Sequence, residues 1–238
     1  MNISRTALEQ HIRCPRCFYL QRKLKLKPPS MVPLTLALAT DALLKNEFDV
    51  IRLTGDIHPI WKREGLRVKA YQHSEIEDWR NFSKGIRFTH SSGAEIYGAI
   101  DDIWENIDTG ELHIVDYKST SKKGEPSIDV GWGESYKRQM EIYQWLFRSA
   151  GHTVSSIGYF LYVNGSKHGG FYENGTDGVM RFDTTMISYD GDDSWVDTAV
   201  TLAAQCLEGD VIPNSDDDCD NCRYFSDRLT VQQNTGAQ

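Results

Sequence analysis

The stretch Ala94-Glu-Ile-Tyr-Gly98-Ala-Ile-Asp101-Asp102-Ile-Trp-Glu-Asn106, followed by Ile107-Asp-Thr-Gly110 and Glu111-Leu-His-Ile-Val-Asp116-Tyr-Lys118, decides the fold. It reads as a β-hairpin. A first arm over 94–106 alternates around Ile96, Gly98, Ile100 and Asp102. The turn is Asp108-Thr109-Gly110, with a glycine available for positive φ. The second arm is Leu112–Lys118. Side chains alternate faces along a strand, so Asp116 and Lys118 share one face and Tyr117 takes the other. A carboxylate and an ammonium on a strand that otherwise reads as buried are costly unless they have partners or work. Asp101 and Asp102, being adjacent, point to opposite faces. One of them can join Asp116 to hold a hard cation through oxygen ligands. Lys118 then stands beside the nucleophile or the charge developing on a phosphate.

Working outward, three motifs follow in order: Gly98-Ala-Ile-Asp101, then Asp116-Tyr-Lys118, then Tyr136-Lys-Arg-Gln139-Met-Glu-Ile-Tyr143. This set resembles the PD-(D/E)XK nucleases, and within them the RecB-like exonuclease branch. That branch has a G-x-I-D strand, a D-x-K strand and a following helix with Q-x-x-x-Y. The resemblance implies an α/β fold with a restriction-endonuclease-like αβββαβ core. It further implies a metal-dependent phosphodiesterase acting as an exonuclease on single-stranded or end-bearing DNA. Under it Asp101 and Asp116 bind Mg²⁺ or Mn²⁺, and the backbone carbonyl of Tyr117 adds a ligand. Lys118 orients or activates the attacking water and stabilises the phosphorane-like charge. Gln139 positions a catalytic or substrate group, and Tyr143 supports the helix.

The branch carries its first motif on a preceding helix, as a glycine followed by a metal-binding histidine. The corresponding helix here, expected over Leu36–Arg52, has no histidine. Glu47 is the substitute on chemical grounds, because a carboxylate suits a hard cation. It reads equally well as a surface helix residue. Periodicity without the resemblance supports only a mixed α/β domain. A reading from another class therefore stands beside the nuclease: a nucleic-acid-binding or scaffold module that keeps the fold and cuts little.

The chain has 238 residues, 39% of them hydrophobic, so one core is affordable and one domain over 1–238 is expected. Within it, 36–190 is the expected catalytic core, and 1–30 and 206–228 are cysteine-bearing segments. No apolar run is long enough for a membrane span, and the start Met1-Asn-Ile-Ser-Arg-Thr lacks an apolar signal region. The expected location is the cytoplasm. A net charge of −8 counts against broad nonspecific DNA affinity. Yet Arg5, Arg13, Arg16, Arg22, Lys23, Lys25 and Lys27 cluster near the start, with only Glu9 against them. The acids concentrate late, at Asp190, Asp192, Asp193, Asp197 and from Asp216 to Asp220.

Elsewhere Ser4 caps an expected helix over 4–13, and Pro28, Pro29 and Pro33 break the pattern. Residues 55–85 suggest loops and short helices packed by aromatics, with His58, His73 and His90 as surface or capping residues. A strand is expected over Gly85–Thr89, a helix over Glu134–Ala150 and an interior strand over Ser156–Val163. An edge strand over Met180–Ile187 and a helix from Trp195 to Leu207 follow. The end, Thr230–Gln238, is expected to fray.

Five cysteines complete the pattern: Cys14, Cys17, Cys206, Cys219 and Cys222. Two C-x-x-C pairs flank the catalytic region, and each can present two thiolates to one metal centre. A cytoplasmic chain seldom uses disulfides, so metal binding leads. The C-terminal pair resembles that of CRISPR-associated RecB-like iron–sulfur nucleases, which implies a [4Fe–4S] cluster. Those proteins take one ligand from the N-terminal side and three from the C-terminal side. This chain offers two and two, which leaves structural Zn²⁺ open. Cys206 reads as a buried small apolar residue. A shared centre would staple the two ends of the chain together.

Overall fold

Runs of β-branched and aromatic residues become strands and amphipathic stretches become helices in the computed structural model, which describes residues 1–29, 32–173 and 175–235. In chain order the elements begin β1 (Asn2–Ser4), α1 (Arg5–Arg13), α2 (Pro15–Arg22), α3 (Thr35–Thr54), α4 (Pro59–Arg63), β2 (Val68–Ala70), α5 (Ile76–Arg80), β3 (Ile86–Thr89) and β4 (Glu95–Gly98). There follow β5 (Asp102–Asn106), β6 (Leu112–Thr120), α6 (Gly133–Ser149), β7 (Ile157–Gly165), β8 (Tyr172–Glu173), β9 (Asp177–Gly178), β10 (Phe182–Asp190), α7 (Val196–Glu208) and α8 (Asp220–Thr235). No helix among the described residues is long and apolar enough to cross a membrane. The chain divides into two units: Met1–Met31 with Thr89–Ile96 and Ser194–Gln238, and Val32–Phe88 with Tyr97–Asp193.

The second unit is built on a five-stranded sheet of order β10-β7-β6-β5-β2. β6 and β7 run parallel, with Asp116 opposite Phe160 and Lys118 opposite Tyr162. The remaining pairs are antiparallel. Both central strands are buried almost throughout, as strands covered on two faces must be. One face packs against α3 and α4. There Phe48 lies against Trp61, Trp104 and Tyr117, with ring centroids 5.6, 5.2 and 5.9 Å away, and Val115, Tyr159 and Leu161 extend the cluster. The other face receives α6, which makes the crossover between β6 and β7. Gly158 permits that approach: a Cβ there would meet the sulfur of Met140 at 2.3 Å.

In the first unit Ser4 caps α1, accepting a hydrogen bond from the N–H of Ala7 at 3.2 Å. α1 and α2 both pack on α7. Small buried residues, Ala7, Ala203 and Ala204, let these helices close around Leu8, Phe18 and Val200. His90 is buried and spans Ser92 at 2.9 Å and Asp197 at 3.0 Å.

Four local expectations need correction. The first hairpin arm is not one strand: β4 and β5 belong to different sheets, with Ala99–Asp101 between them. The ladder is broken because the Ile100 N–H donates to the Trp79 carbonyl at 3.1 Å and the Ala99 carbonyl accepts from the Tyr143 hydroxyl at 2.5 Å. Residues 55–85 hold β2, an edge strand too short to show a period. His58 does cap α4, but from a buried position between Phe48 and Trp61. Thr230–Thr235 continue α8 rather than fray, and the Thr230 hydroxyl returns to the Ser226 carbonyl at 3.1 Å. Residues 236–238 lie outside the described residues.

Candidate active site and thiolate centre

The turn after β5 folds as its residues dictate. Asn106 accepts from the N–H groups of Asp108 and Thr109, and Gly110 takes φ 73°. This sets the register of β5 on β6, with Asp102 opposite Val115. Asp101, just before β5, then reaches the Tyr117 N–H at 2.8 Å. Alternation along β6 puts Asp116 and Lys118 on the α6 side. The Lys118 ammonium contacts the Asp116 carboxylate, lies 3.3 Å from Gln139 Oε1 and sits 4.4 Å from the Tyr136 ring centroid. Gln139 Nε2 donates to Asp116 Oδ1 at 2.6 Å. Gln139 therefore holds both charged partners at once.

Tyr143, one turn further along α6, contributes differently. Its hydroxyl bond to Ala99 anchors the segment from which Asp101 projects. Tyr117 ties the two adjacent carboxylates: its N–H serves Asp101 and its hydroxyl donates to Asp102 at 2.9 Å. Asp102 is fully buried on the opposite face, against Arg52 and, at 2.7 Å, Arg80. Arg80 also bonds Asp49 at 2.6 Å. Burial opposes the Arg80 charge, but Asp102 and Asp49 outweigh it and hold the guanidinium above its usual range.

Glu47 is not among the gathered residues. Its side chain is 56% exposed and bonds His58 at 2.8 Å. Asp41 and Lys45 occupy the relevant face of α3 instead. Lys45 bonds Asp41 at 2.9 Å and lies 3.6 Å from Asp101. Glu47, two residues on, is turned about 200° round the helix from Lys45. The signal that could have found the right pair is the i,i+4 acid–base spacing, which puts both charges on one helix face.

Electrostatically, Lys45 and Lys118 only partly offset the carboxylates of Asp41, Asp101 and Asp116. Burial, and then the charge of Asp116, push the Asp101 carboxyl up to about 7, against the pull of Lys45 and Lys118. Burial works against the Lys118 charge, but Asp116 and Asp101 raise it above its ordinary value and keep it an ammonium. A buried carboxylate, Asp116, and a half-buried one, Asp101, stand in each other's field, and the second is hard to ionise; this donor set fits a hard divalent cation.

The second candidate centre lies wholly in the first unit. Cys14 precedes α2, and its sulfur accepts from the Cys17 N–H at 3.5 Å. Cys219 immediately precedes α8, and Cys222 lies in its first turn. The four sulfurs Cys14, Cys17, Cys219 and Cys222 lie within 4.8 Å of one another and could hold a metal ion. Sequence placed these two pairs in one centre, and the fold brings them there. Burial pushes the Cys14 thiol up, but backbone donors from Cys17 and Asp216 outweigh it and carry it down to about 7. Cys222 goes the other way, pushed up by burial to about 11. Cys206 stands apart, its sulfur 4.0 Å from the Pro15 carbonyl.

The model of the PD-(D/E)XK nuclease superfamily matches residues 35–226, and the chain belongs to that superfamily. The match covers the sheet unit and reaches past Cys219 and Cys222, but begins after Cys14 and Cys17. Membership implies metal-dependent nuclease activity on a nucleic acid and a divalent cation in the active site. No curated protein matches the chain in sequence.

Proposed function

We propose that the chain is a DNA exonuclease of the RecB-like branch, acting on single-stranded DNA or at DNA ends in the cytoplasm. The observation that carries this reading is the meeting of Asp101, Asp116, Lys118 and Gln139 where β5, β6 and α6 converge. Asp101 and Asp116 would hold Mg²⁺ or Mn²⁺, with the Tyr117 carbonyl as a further ligand. Asp41 replaces Glu47 in this proposal as the α3 carboxylate nearest the site. The cation, when bound, supplies positive charge to the phosphodiester oxygens and acidifies a water. Lys118, held protonated, meets the charge that develops on the phosphate. Gln139 fixes Lys118 against Asp116, and Tyr143 keeps Asp101 in reach through the Ala99 carbonyl. Free cysteines suit a reducing compartment.

The deciding assay compares end-labelled linear single-stranded DNA, circular single-stranded DNA and blunt duplex, with Mg²⁺, Mn²⁺ or chelator. Expected is cation-dependent loss of the linear strand, survival of the circle, and no loss with Lys118→Ala. Cutting of circle and linear strand alike would remove the exonuclease assignment.

One observation favours a second reading. Lys45 faces Asp101 and Lys118 contacts Asp116, so each carboxylate already has an ammonium. A module that binds nucleic acid and cuts little would tolerate that arrangement. Retention of DNA in a gel shift without cleavage in either cation would select it.

A further inference from the structure

We infer that Cys14, Cys17, Cys219 and Cys222 hold one tetrahedral zinc ion and not a four-iron cluster. The sulfur spacing carries the argument. Cys17 and Cys219 are 3.5 Å apart, Cys17 and Cys222 3.6 Å, and Cys14 and Cys222 3.8 Å. A tetrahedral zinc site with bonds of about 2.3 Å sets its four sulfurs about 3.8 Å from one another. These three edges lie near that figure, and all four sulfurs are within 4.8 Å of one another. They are far too long for disulfides, whose sulfurs stand about 2.05 Å apart, and all the cysteines are free. A [4Fe–4S] cubane puts each thiolate on a different iron, with the cluster's own irons and sulfides between them. Four sulfurs at this spacing leave no room for that body.

The ligand count agrees. Two C-x-x-C pairs give four thiolates, which fill a tetrahedron and leave no open position, the arrangement of a structural zinc site. A one-plus-three set would need Cys206, and that sulfur lies beside the Pro15 carbonyl and outside the cluster. The local fold favours a thiolate at Cys14. Each pair sits where a helix begins, α2 for the first and α8 for the second, and the Cys17 N–H points at the Cys14 sulfur. The Cys17 N–H thus supplies one of the donors that a dianionic zinc–tetrathiolate centre needs.

The inference does not rest on cleavage, and its test is read by metal content. The full chain is produced with both iron and zinc available and purified without oxygen. Expected is colourless protein with one zinc per chain and no bound iron or sulfide. Cobalt substitution should give the visible d–d bands of a tetrahedral thiolate site. Cys222→Ser and Cys17→Ser should lose the zinc, while Cys206→Ser and the active-site variant Lys118→Ala keep it. Should the ligand variants fail to fold, a mercurial titration of the parent decides: zinc should be released in step with four thiols. Brown protein with stoichiometric iron and sulfide overturns the inference. So does folded parent protein without metal, or loss of zinc on Cys206→Ser.

Discussion

Asp101 and Asp102 are the same side chain one position apart, yet they face different surroundings. Asp101 looks toward Asp116 and Lys118. Asp102 is sealed among Arg52, Arg80 and Tyr117. Substitution should separate them by kind of effect. Asp116→Asn and Lys118→Ala are expected to slow cleavage by about 10²-fold or more, with unchanged far-ultraviolet dichroism. Asp102→Ala strands two buried guanidinium groups, and removing one partner of such a network costs about 3–5 kcal/mol. Urea unfolding checks this, and an unshifted midpoint would refute the structural role of Asp102. A pH dependence belongs to the same residue pair. Burial, and then the charge of Asp116, push the Asp101 carboxyl from its ordinary 3.8 up to about 7. The folded chain therefore holds a proton there that the unfolded chain has released, so this contribution is complete at low pH and is lost as pH rises through about 7. In chelator, the urea midpoint of the parent should fall relative to that of Asp101→Asn between about pH 4 and about pH 7 and level off above it. Parallel profiles would refute it.

At the scale of elements, the phase of α3 decides which carboxylate serves the site. Phe48 is fully buried against the sheet and fixes that phase, turning Asp41 and Lys45 toward Asp101 and Glu47 toward His58. Asp41→Asn should raise the Mg²⁺ concentration needed for half-maximal cleavage, and Glu47→Gln should leave it unchanged. A cation titration of both variants checks the assignment, and the opposite order would restore Glu47. On α6, Tyr143→Phe removes the bond to Ala99 and should cost about 1 kcal/mol, measured by urea unfolding. These elements also mark how far the sequence could be read. The Asp116–Lys118 strand and the Gln139/Tyr143 helix face were legible because local alternation and helical spacing determine them. The break at 99–101 was not, since it depends on the Trp79 carbonyl and the Tyr143 hydroxyl, which are distant in sequence. Asp41 was not legible as the α3 carboxylate because chemistry alone cannot set the rotation of a helix against a sheet. Cys14, Cys17, Cys219 and Cys222 could be grouped by spacing, but the distances that discriminate between one ion and a cluster exist only after folding.

At the scale of the whole molecule, one unit owes its definition to a sheet core and the other to helices around four thiols. Metal removal should therefore act unevenly. Stripping the thiolate centre is expected to raise amide exchange in α1, α2 and α8 while β6 and β7 keep their protection. Uniform loss of protection would contradict this. The cysteine-bearing unit is also discontinuous: its segments begin the chain, return at Thr89–Ile96 and resume at Ser194. This has a consequence for synthesis on the ribosome. Translation has delivered every residue of the sheet unit by Asp193, and a unit complete in sequence can fold while the rest is still being made. Cys17 must wait 202 positions for Cys219. Throughout that interval the first two thiols are exposed to any metal or oxidant the nascent chain meets. Closure of the thiolate centre therefore follows synthesis of the sheet unit, and it depends on the metal present once Cys219 and Cys222 have been made.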